Sequence, residues 1–383
     1  MNRLIFTLYL ALYACATSAS PWVIGLDADF TSVSKAGGIA ISQGAQLAIA
    51  EINAKGGVLG EQVVLEVKNH RGNPARGIAN IKSLAKNDKL LAVISGVHTP
   101  VAMAELALIH EKSIIFLDPW AAGTPVIRNG YEPNFAFRLS VRDEWAAGVI
   151  LNKAKDKGCQ SVTLFLEQTG WGRSNEQSMN KACIALDLPI KGIEWFHWNS
   201  KNLDKLVDKT VNDGTECIAL VANTPEASQI VDAIANIDTA KRPKVFSHWG
   251  IVGGDFTGKI SLAKLAKVEL YFLHTLGFNT PKTPTGVLLK KSFEKKYGKT
   301  SVHEQFNGVA HAYDLVHLLA LAIEKTGSAD STKVRSALEQ LGTYKGAMKT
   351  YTKPFTADNH EALNASDYIM LQFNEQGYGE AAL

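Results

Sequence analysis

Residues able to hold a small molecule recur at matching places, each just after a strand-like apolar run. Asp29 and Phe30 follow Val23 to Leu26, and His98 and Thr99 follow Leu90 to Ile94. Asp118, Trp120, Ala121 and Ala122 follow Ile114 to Leu117. Glu167 with Trp171, Asn223 with Thr224, and His248 with Trp249 repeat the placement further on. Each alone reads as structural, because tryptophan fills cores and a strand-end hydroxyl caps a helix. Three tryptophans and two histidines at successive strand ends are a different matter, since loops usually favour small residues. Their chemistry is non-covalent binding, with aromatics as rigid apolar walls and polar tips fixing orientation. The candidate ligand-binding residues are His98, Thr99, Trp120, Ala121, Ala122, Trp171, Asn223, Thr224, His248 and Trp249.

Nothing comparable points to catalysis. The chain has no GxSxG elbow, no HExxH and no GxGxxG. Its ten histidines are scattered, and His311 and His317 are too far apart on a helix to share a face closely. Gly253 to Ile260 approaches a phosphate loop, but Ile260 stands where a magnesium-binding hydroxyl is needed, so it reads as a glycine-rich turn. Cysteines at 15, 159, 183 and 217 form no zinc set. Cys217, in the apolar run to Val221, reads as a core thiol, and Cys159 and Cys183 could form a bridge. The expectation is no enzyme, no metal and no cofactor.

Strand-like runs alternating with amphipathic helices must position these residues. The first helix carries Ile41, Ala45, Ala48, Ile49 and Ile52 on one face and stops at Gly56-Gly57. Such repeated βαβ units give parallel sheets covered by helices on both faces. The pattern restarts after a long loop, 120–140, with strands at Val162 to Leu166, Ile193 to Phe196, Ile218 to Val221, Val245 to Ser247 and Val268 to Leu273. A long helix around Val309 to Ile323 follows, and then a tail with strand-like pieces such as 368–371. The 383 residues suffice for about two domains. Forty Lys and Arg against 37 Asp and Glu, formal charge +3, leave no basic stripe for nucleic acid.

The N-terminus reads as an export signal. Asn2 and Arg3 precede an apolar run, Leu4 to Ala14, and then small residues to Ser20. That run is shorter than the roughly 20 residues a membrane span needs. Cleavage near Ser18 or Ala19 would release a soluble, periplasmic, monomeric protein. The minority alternative is a lipid anchor on Cys15, since 12–15 approaches a lipobox.

Gly44 to Gly60 (GAQLAIAEINAKGGVLG) closely resembles the first helix and turn of the leucine/isoleucine/valine-binding proteins, the solute-binding proteins of branched-chain amino acid ABC transporters. Gly96 to Ala102 is similar to that family's loop after its third strand, Asp118 to Thr124 to its SPxAT loop, and Phe306 to Asp314 to its late helix. The resemblance implies a type I periplasmic-binding fold: α/β, with two doubly wound parallel-sheet lobes joined by three crossovers. The expected division is 1–19 signal peptide, 20–139 plus 273–343 for one lobe, and 140–272 plus 344–383 for the other. It implies ligand contacts at Thr99, the backbone near Pro100, Ala121 and Ala122, with Trp171 and the Asn223-Thr224 loop from the second lobe.

The sequence departs from the pattern in three places. Pro100 replaces a serine, Ala122 replaces the threonine of SPxAT, and the acid that holds the ligand ammonium falls at or next to Trp249. A buried ammonium without counter-charge is costly. Either Glu167, Asp118 or Asp29 supplies the charge, or the ligand lacks an amino group. The tryptophans favour a flat or aromatic ligand with a carboxylate facing His98 or His248. The expected function is a solute receptor for an amino-acid-like or aromatic carboxylate ligand, serving an ABC permease. The alternative is a sensor presenting its ligand to a membrane signalling receptor.

Overall fold

The alternation of short buried strands and helices resolves into two large sheets. The computed structural model describes residues 20–276, 281–298 and 304–382. The stretch read as an export signal, with Cys15, lies outside the described residues. The first lobe runs β1 (Trp22–Ala28), α1 (Lys35–Ala54), β2 (Val63–Asn69), α2 (Pro74–Leu84), β3 (Leu90–Ser95), α3 (Thr99–Glu111), β4 (Phe116–Asp118), α4 (Thr124–Ile127) and β5 (Ala136–Arg138). Its strands are parallel in the order β2-β1-β3-β4-β5.

The second lobe continues with α5 (Asp143–Asp156), β6 (Val162–Glu167), α6 (Gly170–Leu186), β7 (Ile190–Phe196), α7 (Leu203–Asn212), β8 (Cys217–Val221), α8 (Thr224–Ala235), β9 (Lys244–Ser247), α9 (Leu262–Leu265) and β10 (Leu270–His274). The chain then returns to the first lobe as α10 (Pro284–Tyr297), α11 (Phe306–Thr326) and α12 (Ser331–Leu338). It makes the small pair β11 (Tyr344–Lys345) and β12 (Thr350–Tyr351), and ends as β13 (Ile369–Phe373) and β14 (Gly379–Ala381). The second sheet is ordered β14-β13-β10-β9-β8-β6-β7, parallel except for its last two strands.

The chain therefore passes between lobes three times: after β5, after β10 and before β13. The tail stays with the first lobe well beyond 344. Ala347 and Met348 donate backbone N–H bonds to Asp314 of α11, and Arg138 N–H bonds to the His360 carbonyl.

Every residue of β6 and β8 is buried, as strands covered by helices on both faces must be. Helix α1 ends where expected, with Gly56 and Gly57 at φ +107° and +82°. Its apolar face meets α11 so closely at Gly44 that a Cβ there would stand 2.1 Å from the Val309 carbonyl oxygen. Helix α11 is long and apolar enough to cross a membrane, and it is buried here as the core helix between α1 and α12.

Three expectations need correction. The stretch 120–140 is not all loop, because β5 lies in it. Three residues are too short for a periodic signal, and pairing with β4 creates the strand. The fourth strand is Phe116–Asp118, two residues later than its apolar run begins. Cys217 is not a thiol: it is disulfide-bonded to Cys159, while Cys183 is the buried free cysteine. Neighbouring pairing of β6 with β8 brings Cys217 beside the approach to β6, whereas Cys183 sits on α6.

Candidate functional site

The strand order of each lobe reverses direction beside its first strand, and the C-terminal ends there face a common cleft. His98, Thr99, Trp120 and Ala122 line it from the first lobe; Trp171, Asn223 and Trp249 line it from the second. Val97, Pro100, Glu167, Trp198 and Gly250 complete the walls. The walls stand so close here that the cavity between them is about 10 Å³, room for roughly one water. Lobes already touch across it. Trp120 and Trp249 stack at 5.1 Å with a 33° tilt, and the His98 and Trp198 rings lie 5.2 Å apart.

The first-lobe wall is fixed from behind. Asp118 Oδ1 accepts the N–H groups of Trp120 (2.9 Å) and Ala121 (2.7 Å) and the Ser95 hydroxyl (3.1 Å). Arg138, fully buried, donates Nη1 to the carbonyls of Ala121 (2.9 Å) and Gly123 (2.8 Å). It pairs in two-pronged fashion with Glu361, at 2.8 and 2.6 Å. The Gly123 N–H donates to Thr99 Oγ1 at 3.1 Å, tying this loop to the start of α3. His311 of α11 holds the Pro119 carbonyl at 3.0 Å.

His98 precedes α3, so it sits where helix N–H groups favour an anion. It is buried and neither ring nitrogen has a partner. Burial lowers its pKa to about 4, so the ring is neutral at pH 7, with one N–H to give and one nitrogen to receive. Its neighbour His70 is held at about 3, again mainly by burial.

The second-lobe wall comes from four strand ends. Trp171, at the start of α6, donates its indole N–H to Asp143 Oδ1 at 3.1 Å and meets His248 edge-on at 5.0 Å. His248 Nδ1 accepts the Trp249 N–H at 2.8 Å, and its Nε2 lies 3.1 Å from Asp143 Oδ1. Asn223 stands at the N-cap of α8 without capping it; its Nδ2 donates instead to Glu167 Oε2 at 2.9 Å.

Three of the expected residues stand behind the walls. Both backbone groups of Ala121 are used by Asp118 and Arg138. Thr224 gives its hydroxyl proton to the Ile251 carbonyl and accepts the Gly254 N–H, each at 2.8 Å. His248 is enclosed by Trp171, Trp249 and Asp143. Each holds a lining residue in place instead of facing the cleft.

The three acids considered as counter-charges separate clearly. Asp29 is saturated. Burial works to raise its pKa, but the Ser32 hydroxyl and the N–H groups of Ser34, Ser32 and Thr31 more than offset this and hold it low. Asp118 serves its loop, with burial pushing its pKa to about 7. Glu167 alone of the three lines the cleft.

Two residues were not anticipated. Trp198 follows β7, and the strand-end reasoning applied to that strand would have found it. Asp143 opens α5 immediately after a crossover, and nothing in its sequence neighbourhood marks it. Among the described residues no group of three His, Cys, Asp or Glu is placed to hold a metal ion.

Comparison with known proteins agrees with this geometry. The periplasmic binding protein family pattern matches residues 21–377. The chain is 24% identical over 362 residues to Leu/Ile/Val-binding protein homolog 2 of Brucella abortus, covering 94% of this chain and 92% of that one. The fold matches the branched-chain amino acid substrate-binding protein LivJ of Streptococcus pneumoniae, in complex with isoleucine, with TM-score 0.80 at 21% identity, over 94% of this chain and 98% of that one. It also matches a Rhodopseudomonas palustris solute-binding protein in complex with 4-hydroxybenzoate, with TM-score 0.78 at 17% identity, over 95% and 96% of the two chains. At those identities the two structures speak for the fold alone. The chain belongs to the periplasmic binding protein family and is a type I member, related to the leucine/isoleucine/valine-binding proteins.

Proposed function

We propose that this protein captures a small carboxylate ligand with a flat or apolar body between its lobes and delivers it to an ABC permease in the inner membrane. The observation that carries the reading is the cleft itself. A tryptophan from each lobe, Trp120 and Trp249, forms its apolar wall, and beside them His98 offers two unpartnered nitrogens at a helix start. Both ligands named for the structural neighbours, isoleucine and 4-hydroxybenzoate, carry a carboxylate. His98, the Thr99 hydroxyl and the start of α3 are this chain's groups for one.

Closure is the working step. The division into lobes, which is part of this proposal, is 20–139 plus 275–368 and 140–274 plus 369–382, since β10 runs to His274 and the tail bonds to the first lobe as far as His360; it places the cleft between bodies joined by three connections. Among the described residues few polar bonds cross it away from the crossovers: Gly37 N–H to the Gly253 carbonyl (3.0 Å), Thr124 N–H to Ser174 Oγ (3.1 Å), and Gln305 to the carbonyls of Val252 and Gly254 (2.7 and 3.0 Å). A ligand touching both lobes binds the closed form better and shifts the population toward it. The permease reads that form.

A thermal-shift screen of the exported chain against amino acids, amides and aromatic acids tests this. A ligand at 100 times its Kd raises stability by about 2.7 kcal/mol. At least one small carboxylate should raise the melting temperature. A panel without a single shift, or a ligand recovered as a hydrolysis product, contradicts the reading.

A further inference from the structure

Glu167 ends β6 fully buried, yet it lines the cleft. Thr169 Oγ1 donates to its Oε1 and Asn223 Nδ2 to its Oε2, both at 2.9 Å. Trp198 lies against the same carboxyl without its indole N–H closing a hydrogen bond of ordinary geometry. Behind it stands a second buried acid, Glu226, in the first turn of α8. Glu226 Oε1 accepts the Asn199 N–H at 2.7 Å, and its Oε2 has no partner. No lysine or arginine lines the cleft, and no cation lowers either acid's pKa. Burial pushes Glu167 up to about 7 and raises Glu226 as well. Two buried carboxyls side by side without a cation are an incomplete arrangement, since a buried charge needs a partner. His98 points to what completes it: buried on the same cleft, within ring contact of Trp198, it also lacks partners on both nitrogens.

We propose that Glu167, backed by Glu226, receives an ammonium group of the ligand, in place of the acid that Trp249 displaces, while the His98 end takes the carboxylate. This rests on the cleft reading above and adds the ligand's second charge. On binding, Glu167 gives its proton to solvent and its carboxylate pairs with the ammonium. The other titratable groups on or behind the walls are Glu226 on α8, Asp143 on α5 and His248 after β9 in the second lobe, and His98 before α3, His70 after β2, Asp118 on β4, Arg138 on β5 and His311 on α11 in the first. His98 is neutral throughout this range.

The test uses matched probes that differ only in the amine: L-phenylalanine against 3-phenylpropionate, and L-leucine against 4-methylpentanoate. Calorimetry on the mature chain and on Glu167→Gln gives the answer. The amine-bearing member of at least one pair should bind roughly 100-fold more tightly than its partner, and Glu167→Gln should bring the two within about 10-fold. Where Glu167→Gln does not fold, the wild-type protein still decides. At pH 6, binding of the amine-bearing member should release close to one proton, read from heats in two buffers of different ionisation enthalpy. Equal or tighter binding of the deaminated member, unchanged discrimination in Glu167→Gln, or no proton release overturns the assignment. If only deaminated acids bind, or no member of either pair binds, the Glu167 assignment falls, and the cleft reading stands or falls with the wider thermal-shift panel.

Discussion

The two walls of the cleft differ in the kind of group they leave unsatisfied. On the first-lobe side, Asp118 Oδ1, Arg138 and Asp29 bond the loops from behind, and the unpartnered groups are both ring nitrogens of His98 at the cleft and Asp118 Oδ2 behind it. On the second-lobe side, Asp143 Oδ2, Glu226 Oε2 and the Trp198 indole N–H are buried without partners, and Glu167 has no cation. Unsatisfied buried groups have a strong preference for whatever satisfies them. The difference teaches where to look for specificity: at a neutral imidazole on a bonded scaffold on one side, and at paired acids on the other.

The largest expected effect breaks the bonded scaffold behind the first wall. Arg138→Met leaves Glu361 and Asp118 buried and uncompensated, which should cost about 3–5 kcal/mol in denaturant unfolding. A loss under 1 kcal/mol would show that the ion pair does not hold the loop. Reducing the Cys159–Cys217 disulfide should cost about 2–4 kcal/mol, since it frees a loop of 58 residues. The bond lies at the end of β6 opposite Glu167, so ligand affinity of the folded, reduced protein should stay within about 2-fold. A larger change would mean that the second wall depends on the whole lobe and not on its strand ends.

On the second-lobe side, Trp249→Ala should weaken ligand binding by about 30- to 100-fold with the fold retained by circular dichroism. Trp171→Ala should weaken it less, because Trp171 is half committed to Asp143. The smallest effect concerns pH. Burial depresses His98 to about 4. The unfolded chain therefore takes up its proton first, near the usual 6.5, and the fold loses stability as pH falls from 6.5 toward 4. Over pH 7 to 5, His98→Gln should lose about 1–2 kcal/mol less stability than the unaltered protein. Equal losses would mean that His98 finds a partner in solution.

Much of this was legible in the sequence, and for identifiable reasons. Buried parallel strands advertise themselves as apolar runs, and the rule that ligands gather beyond their C-terminal ends picked out His98, Thr99, Trp120, Ala122, Trp171, Asn223 and Trp249, all of which the structure places on one cleft. What the sequence did not carry were pairings between distant segments. Arg138 with Glu361 and Cys159 with Cys217 depend on which strands become neighbours. The bonds that tie Asp29 and Asp118 Oδ1 to their own loops depend on geometry that no spacing reveals. Asp143 is a helix-start acid like many others until the fold brings Trp171 to it.

The most direct test is calorimetry of a ligand from the thermal-shift screen against His98→Gln, Trp249→Ala and the double variant. The account predicts that each single change weakens binding at least about 10-fold, because one ligand is held between a wall from each lobe. Unchanged affinity in either single variant would contradict it.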